Sequence, residues 1–185
     1  PEKVASSSGG LLVDEPGVYF VEFDEFNVDV WIQRADEVAF SIVTRQIQMR
    51  EPLLALQTIA QFLPHYIDQP LLIGIVLRLY LLSGDVKMAR KTLSRLEEVA
   101  GENATITILH RGFVMVAETE YANALAQFEK ILETNPHHIS AVNNAAICHT
   151  FLRSAQKAVQ LLEDALFSKP RTNINETSVF NLCTL

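Results

Sequence analysis

The sequence predicts an all-α fold: a right-handed solenoid of about four helical hairpins with a trailing helix, preceded by an extended acidic arm. The first observation is a skeleton of small, large, apolar and proline residues that occurs twice, 34 positions apart. Its two copies are Ala124, Phe128, Ile131, Pro136 and Ala158, Leu162, Ala165, Pro170. The second observation is composition, since a chain of 185 residues that is 49% hydrophobic has enough apolar surface for packed helices.

The repeat divides the chain into units. A period of this length with this skeleton is the signature of tetratricopeptide repeats (TPRs), in which each unit is a pair of antiparallel helices. The predicted solenoid covers residues 31–185, with units at 36–69, 70–104, 105–138 and 139–172 and a partial unit at 173–185. The skeleton continues in the two earlier units through Ala89, Leu93 and Leu96, and more weakly through Ala55, Ile59 and Phe62.

Each residue type in the skeleton has a physical role in the predicted hairpin. A small alanine where two helices cross lets their axes approach closely. Phe128 fills the space beyond the crossing, and a proline ends the second helix because it lacks the N–H that would continue it. Gly112 takes a further small position. In the partial unit, one helical stripe is expected to face back onto the preceding hairpin: Val179, Leu182 and Cys183, with Phe180 beside them.

Residues 1–30 are predicted to be a flexible linker, SSSGG at 6–10, and an acidic, aromatic arm. The arm sequence GVYFVEFDEFNVDVW at 17–31 follows a strand pattern more closely than a helical one up to Phe23. Residues 1–37 contain nine acidic and two basic residues, so the whole net charge of −7 falls there. Nucleic acid is not an expected partner, because phosphate binding needs a basic surface. So much aromatic surface is unfavourable in water, so we expect the arm to lie along the solenoid or a partner chain.

The histidines and cysteines offer no catalytic or metal-binding arrangement in this frame. His138 and His149 lie eleven residues apart along one predicted helix, about 16 Å, too far to share a zinc ion. Cys148 and His149 point about 100° apart and do not form a nucleophile–base pair. Cys148 is expected to be a buried small apolar residue. With no glycine-rich phosphate loop either, we expect no enzyme activity, cofactor or metal.

The cysteines, the apolar stretches and the two ends of the sequence indicate the cellular setting and whether the chain is part of a larger protein. Two cysteines and no secretory signal favour a reducing, cytoplasmic setting. No stretch is long and apolar enough to predict membrane insertion. Because the chain begins at Pro1 and stops within an apolar helical pattern, we expect it to be a piece of a larger protein.

Two surfaces are candidate sites for binding other proteins. One is an apolar groove along the first helices of the units: Leu109, Phe113, Val116, Asn143, Ile147 and Phe151. Packing of one unit on the next is the alternative role for several of these side chains. The other surface is a basic stripe on the second helix of the unit 70–104: Lys87, Arg90, Lys91 and Arg95. It is either a solvated face or a dock for an acidic partner or the chain's own arm.

Three segments resemble one family more closely than the repeat alone requires: SGDVKMARKTLSRLEEV at 83–99, NPHHISAVNNAAICHTF at 135–151 and NETSVFNLCTL at 175–185. They are similar to the subunit 12 family of the trafficking protein particle (TRAPP) complex. The resemblance implies a non-catalytic scaffold subunit of a vesicle-tethering complex that exchanges nucleotide on Rab-family GTPases between endoplasmic reticulum and Golgi. Its expected partners are the large peripheral subunits, with a Rab GTPase bound indirectly.

A generic TPR adaptor is the alternative function. Such a protein would bind a peptide or helix of a partner in the cytosol, in the manner of a co-chaperone. The sequence places Arg78 and Asn143 at groove positions and otherwise apolar residues, so the basic set that clamps two carboxylates is not expected.

Overall fold

The computed structural model describes residues 28–168 and 176–184, which form nine α-helices and one 3-10 turn and contain no strand. The helices are α1 Val28–Gln48, α2 Pro52–Phe62, α3 Pro70–Leu82, α4 Val86–Ala100, α5 Thr105–Ala117, α6 Tyr121–Thr134, α7 Ile139–Phe151, α8 Ala155–Ser168 and α9 Glu176–Thr184, with the 3-10 turn at Pro64–Tyr66. The predicted arm up to residue 27 and Pro170 lie outside the described residues. None of the helices in the described ranges has the length and hydropathy to cross a membrane.

The helices pair as successive hairpins: α1–α2, α3–α4, α5–α6 and α7–α8. Each hairpin packs on the next, through contacts of α2 with α3, α4 with α5 and α6 with α7. The trailing α9 packs back on α7 and α8. This arrangement is a TPR solenoid and confirms the predicted fold class. Because α1 begins at Val28, ahead of the predicted first unit, the exact unit boundaries stay a prediction.

All four hairpin turns have the same backbone geometry. Each contains one residue in the left-handed region, at intervals of 34 or 35 residues: Arg50 (φ 60°), Gly84 (φ 80°), Thr119 (φ 64°) and Arg153 (φ 61°). In the third turn, Thr119 N–H donates to Val116 O at 3.0 Å and Glu120 N–H donates to Met115 O at 2.9 Å. The equivalent pair of hydrogen bonds closes each of the other three turns. This is the Schellman motif, which satisfies the last carbonyls of the first helix.

The alanines predicted at the helix crossings are fully buried. Ala55, Ala89, Ala124 and Ala158 are all 0% exposed. The large residues after them, Ile59, Leu93, Phe128 and Leu162, are at most 7% exposed. One assignment was wrong: Phe62 is 52% exposed, whereas its neighbour Leu63 is 0% exposed. Leu63 follows the last residue of α2 and turns into the core there, so the burial pattern shifts by one position.

Gly112 lets the two helices of the α5–α6 hairpin touch. A Cβ atom at Gly112 would lie 2.5 Å from Cε1 of Phe128, closer than packed carbon atoms come. Phe128 is 0% exposed and its ring also lies 6.1 Å from that of Phe113. The small position therefore makes room for the largest fully buried side chain among the described residues.

The apolar core runs along the solenoid as a series of small clusters. One joins α1, α2 and α3, a second joins α3, α4 and α5, a third joins α5, α6 and α7, and a fourth joins α7 and α8. Each cluster contains residues of at least two successive helices. A hairpin is thus covered by its neighbours, as expected for a repeat protein.

The stripe predicted for α9 is wrong in two of its three residues. Leu182 packs against the α7–α8 cluster, but Val179 is 41% exposed and Cys183 is exposed. Ser178 of this helix is buried, at 0% exposure. The side facing α7 and α8 is therefore rotated from the predicted one by about one residue, roughly 100°. Phe180 is left 65% exposed.

Enlarging a crossing alanine should destabilise the fold. Ala124→Leu places a larger side chain at a position that is 0% exposed, so the free energy of unfolding should fall by about 1–3 kcal/mol. Ala126→Leu is the matched control, because Ala126 is exposed on the same helix. Urea denaturation followed by circular dichroism measures both. Equal losses in the two variants would contradict the crossing assignment.

Relieving the left-handed backbone at Thr119 should stabilise the fold. A β-branched residue is strained at φ 64°, and Thr119→Gly removes that strain at a cost in chain entropy. We expect a net gain of up to about 1 kcal/mol in unfolding free energy. The reciprocal change Gly84→Thr should be destabilising. Thermal denaturation of both variants checks this, and a gain for Gly84→Thr would show that the turn geometry is wrong.

Candidate protein-binding surfaces

A groove crosses the first helices of three successive hairpins. It has a volume of about 340 Å³ and is lined by residues of α3, α5 and α7: Arg78, Leu81, Leu82, Phe113, Val116, Ala117 and Asn144. Leu82 is 67% exposed at its edge. We call this the first-helix groove. An apolar lining with one cation and one amide suits a protein segment with mostly apolar and a few polar side chains.

The six predicted groove residues are divided among three places. Phe113 and Val116 line the first-helix groove. Ile147 and Phe151 line a smaller hollow of about 140 Å³ between α7 and α9. Leu109 packs against the α5–α6–α7 cluster, and Asn143 is 7% exposed.

Asn144, rather than Asn143, borders the first-helix groove. Adjacent helical residues differ by about 100° in direction, so a register error of one residue decides which asparagine faces the groove. Two adjacent asparagines cannot be distinguished in this respect without the packed structure. The carboxamide oxygen of Asn143 has no hydrogen-bond partner within the described residues.

Phe151, at the end of α7, stacks on a residue of the preceding hairpin. Its ring lies 4.3 Å from that of Tyr121 with an interplanar angle of 3°. Phe151 is nevertheless 59% exposed. The stacked ring thus stabilises the junction between hairpins, while more than half of the surface of Phe151 remains accessible.

The predicted basic stripe is partly engaged in ion pairs within the chain. Arg90 pairs with Glu118 at the end of α5, and Arg95 pairs with Asp68 in the connector before α3. The Arg90 side chain and both side chains of the Arg95–Asp68 pair are exposed, so solvent screens these ion pairs and they contribute little to stability. Lys87 and Lys91 are exposed, and neither forms an ion pair within the part of the chain that the structure describes.

The basic stripe borders a second groove, between α2 and α4. This α2–α4 groove has a volume of about 520 Å³, with α3 beneath it. Leu56, Ile59 and Ala60 of α2 form one side. Met88, Lys91 and Arg95 of α4 are on the other, together with Glu98.

Another apolar hollow lies at the N-terminal end of the described solenoid. It has a volume of about 400 Å³ and is lined by α1 and the end of α2: Trp31, Arg34, Ala35, Val38, Ala39, Ile42 and Phe62. Val38 is 59% exposed and Phe62 is 52% exposed. The guanidinium of Arg34 lies 5.3 Å from the centre of the Trp31 ring. Several side chains at this end of the described solenoid are therefore large, apolar and accessible.

The histidines and the buried cysteine have structural positions. His138 caps α7 by accepting a hydrogen bond from Ala141 N–H at 3.3 Å, and His137 contacts Ser168. Cys148 is 0% exposed, as expected, and burial raises the pKa of its thiol to about 11. Within residues 28–168 and 176–184, no group of three or more His, Cys, Asp or Glu could hold a metal ion.

His110 is a buried residue that the sequence did not single out, and its ring lies edge-on to that of Phe113, 5.4 Å away. It is 5% exposed, and its Nδ1–H donates to Ile106 O at 2.7 Å. Its ring packs on Gly74, where an added Cβ would lie 2.8 Å from Nε2. Burial lowers the pKa of His110 below its usual 6.5, the cation of Arg78 also lowers it, and the bond to Ile106 opposes them. His110 is therefore neutral at pH 7.

Fold and surfaces define a helical-repeat protein whose open grooves suit binding to other proteins. No family model matches the chain. It is 27% identical over 170 residues to the mouse protein trafficking protein particle complex subunit 12, covering 89% of this chain and 21% of that protein. It is 26% identical over 165 residues to the human protein of the same name, covering 86% of this chain and 22% of that protein.

These similarities support a relationship to TRAPP subunit 12, and the chain spans about a fifth of the length of these relatives. Two solved structures share the fold. They are an ArsTM double mutant of MamA RS-1 and MamA from residue 41 to its end from Desulfovibrio magneticus RS-1, each with a TM-score of 0.50 and 15% identity. The alignment with the double mutant covers 80% of this chain and 91% of that one. The alignment with the second structure covers 81% of this chain and 92% of that one. At this identity the likeness concerns the fold alone.

The buried His110 should make stability fall in mild acid. Its native pKa is lowered, so below about pH 6.5 the unfolded chain takes up a proton that the native chain does not. The contribution of neutral His110 to the free energy of unfolding is therefore complete well above pH 6.5. It decreases as the pH falls towards the native pKa, by at most about 1.4 kcal/mol per pH unit. His110→Asn should remove this part of the pH dependence. Denaturant titrations at a series of pH values from 7.5 to 5.5 give the free energy of unfolding of parent and variant. If this free energy depends on pH equally in both, the prediction is contradicted.

Proposed function

We propose that the chain is a non-catalytic scaffold segment of a TRAPP-type complex. The observation that carries this proposal is the similarity to TRAPP subunit 12, which extends over 86–89% of the chain. In this function the solenoid binds other, large peripheral subunits of the complex. The complex tethers vesicles and exchanges nucleotide on a Rab-family GTPase between endoplasmic reticulum and Golgi, and this chain contributes assembly rather than exchange.

The first-helix groove is proposed as part of the subunit contact. Stable interfaces bury about 800 Å² on each partner, more than one groove of this size supplies. The contact would therefore extend along the solenoid to the exposed faces of Leu82 and Phe151, which are 67% and 59% exposed. Arg78 would fix the register of the bound segment, because its charge needs a polar partner when water is removed. Asn144 already donates through Nδ2 to Ser140 O at 2.7 Å, and its carboxamide oxygen would accept a further hydrogen bond.

The proposed location follows from the proposed partners. A scaffold segment of this kind works in the cytoplasm and associates peripherally with early secretory membranes. Membrane insertion and nucleic-acid binding are not part of the proposal. Catalysis is not part of it either, and the proteins it resembles in sequence are complex subunits by name.

Substitution in the first-helix groove should weaken assembly. The tagged full chain, expressed in animal cells, should co-migrate with TRAPP subunits on size-exclusion chromatography. Leu82→Asp should reduce the recovered subunits severalfold, since a carboxylate would be buried in the contact. Leu71→Asp is the matched control, because Leu71 is 73% exposed on the same helix and does not line the groove. Absence of TRAPP subunits in the parent complex, or nucleotide exchange by this chain alone, would contradict the proposal.

A TPR adaptor that binds a peptide tail is the second candidate function. The observation in its favour is the placement of Arg78 and Asn144 together in an apolar groove. An adaptor should bind acidic C-terminal peptides as an isolated chain, and Arg78→Ala should abolish that binding. Isothermal titration calorimetry distinguishes the two functions, because the scaffold proposal expects no affinity for such short peptides.

A further inference from the structure

The α2–α4 groove combines an apolar base with a cationic wall. Leu72, Ile73 and Val76 of α3 line its base. Lys91 and Arg95 project from α4, and Ile67 in the connector is 48% exposed at its margin. Its volume of about 520 Å³ falls within the range of about 300–1,000 Å³ in which proteins bury ligands.

The connector between the first two hairpins keeps this groove open. It comprises residues 63–69, whereas the equivalent connectors are 101–104 and 135–138. The longer connector contains the 3-10 turn, and α2 packs on α3 less extensively than α6 packs on α7. An apolar space therefore remains at this junction.

The first half of α1 lies close to one end of the groove. Tyr66 in the 3-10 turn donates a hydrogen bond to Asp36 of α1 at 2.9 Å. Two residues further along the connector, Asp68 pairs with Arg95 on the groove wall. The chain immediately before α1 is residues 1–27, and an extended chain covers about 3.3 Å per residue. A segment just ahead of α1 therefore has the length to reach the groove.

The sequence ahead of α1 complements the groove in polarity and charge. Residues 14–26 contain five acidic side chains and no basic one, and four aromatic residues at positions 19, 20, 23 and 26. Lys91 lines the groove and Lys87 lies one helical turn before it on α4; both are exposed, and neither forms an ion pair inside the described ranges. Apolar rings against the base and carboxylates against the lysines would satisfy both surfaces.

We propose that residues 18–26 of this chain dock in the α2–α4 groove, with aromatic side chains on its apolar base and carboxylates beside Lys87 and Lys91. The docked segment covers the most open junction of the described solenoid. It also competes with any acidic, aromatic segment of another protein for the same groove. The proposal does not depend on the proposed function, because it concerns contacts within one chain.

Hydrogen–deuterium exchange of the full chain tests the docking. Amides of residues 18–26 should exchange about tenfold or more slowly than in the free peptide of the same sequence. Lys87→Glu with Lys91→Glu should abolish this protection, and adding Glu22→Lys with Glu25→Lys should restore it. Lys130→Glu with Lys157→Glu is the matched control, since both lysines are exposed on α6 and α8. In this control variant, the amides of residues 18–26 should be protected as strongly as in the parent.

A second measurement leaves the described helices unchanged. Phe20→Ser with Phe23→Ser should release the segment and increase the reaction of Lys91 with an acylating reagent severalfold, with Lys130 as the internal reference. An unprotected segment in the parent, or protection that persists in both the lysine and the phenylalanine variants, would overturn the proposal. Protection that disappears on dilution, with dimers in sedimentation velocity, would assign the groove to a second copy and also overturn it.

Discussion

The close approach of helices at the buried alanines is the constraint on which the rest of this structure depends. Ala55, Ala89, Ala124 and Ala158 have no exposed surface, so any larger side chain there would push two helices apart. Gly112 extends the same constraint, because its missing Cβ is where the ring of Phe128 lies. The small residues fix the spacing within each hairpin, and that spacing determines which faces remain for the next hairpin and for the grooves.

The sequence predicted this part of the fold because the constraint acts on residue type at a fixed period. Only small side chains fit a crossing, so the alanines recur visibly. The hairpin turns also recur, yet their left-handed position holds Arg50, Thr119 and Arg153 as well as Gly84. There the constraint acts on the backbone, which the Schellman hydrogen bonds hold in place, and the residue type varies. Such turns are regular in structure, but a single sequence shows no recurring residue type by which to recognise them.

The surfaces were less predictable, because they depend on register and on residues distant in sequence. A shift of one residue decided that Asn144, and not Asn143, borders the first-helix groove, and that Leu63, and not Phe62, enters the core. The basic stripe was recognisable on α4, but the partners of Arg90 and Arg95 come from neighbouring hairpins. Helical spacing shows which residues of one helix share a face, whereas the partners of ion pairs between hairpins can be identified only in the packed structure.

Differences between the junctions explain where binding sites can form in a solenoid of nearly uniform repeats. The α4–α5 junction is tied by Arg111, whose guanidinium lies 2.6 Å from Glu97 in a partly buried ion pair. The α6–α7 junction carries the stacked rings of Tyr121 and Phe151. The junction after α2 has instead a longer connector and a large apolar groove. Because each hairpin is stabilised chiefly by its neighbours, the junction with the least packing has the most apolar surface to gain from a further segment.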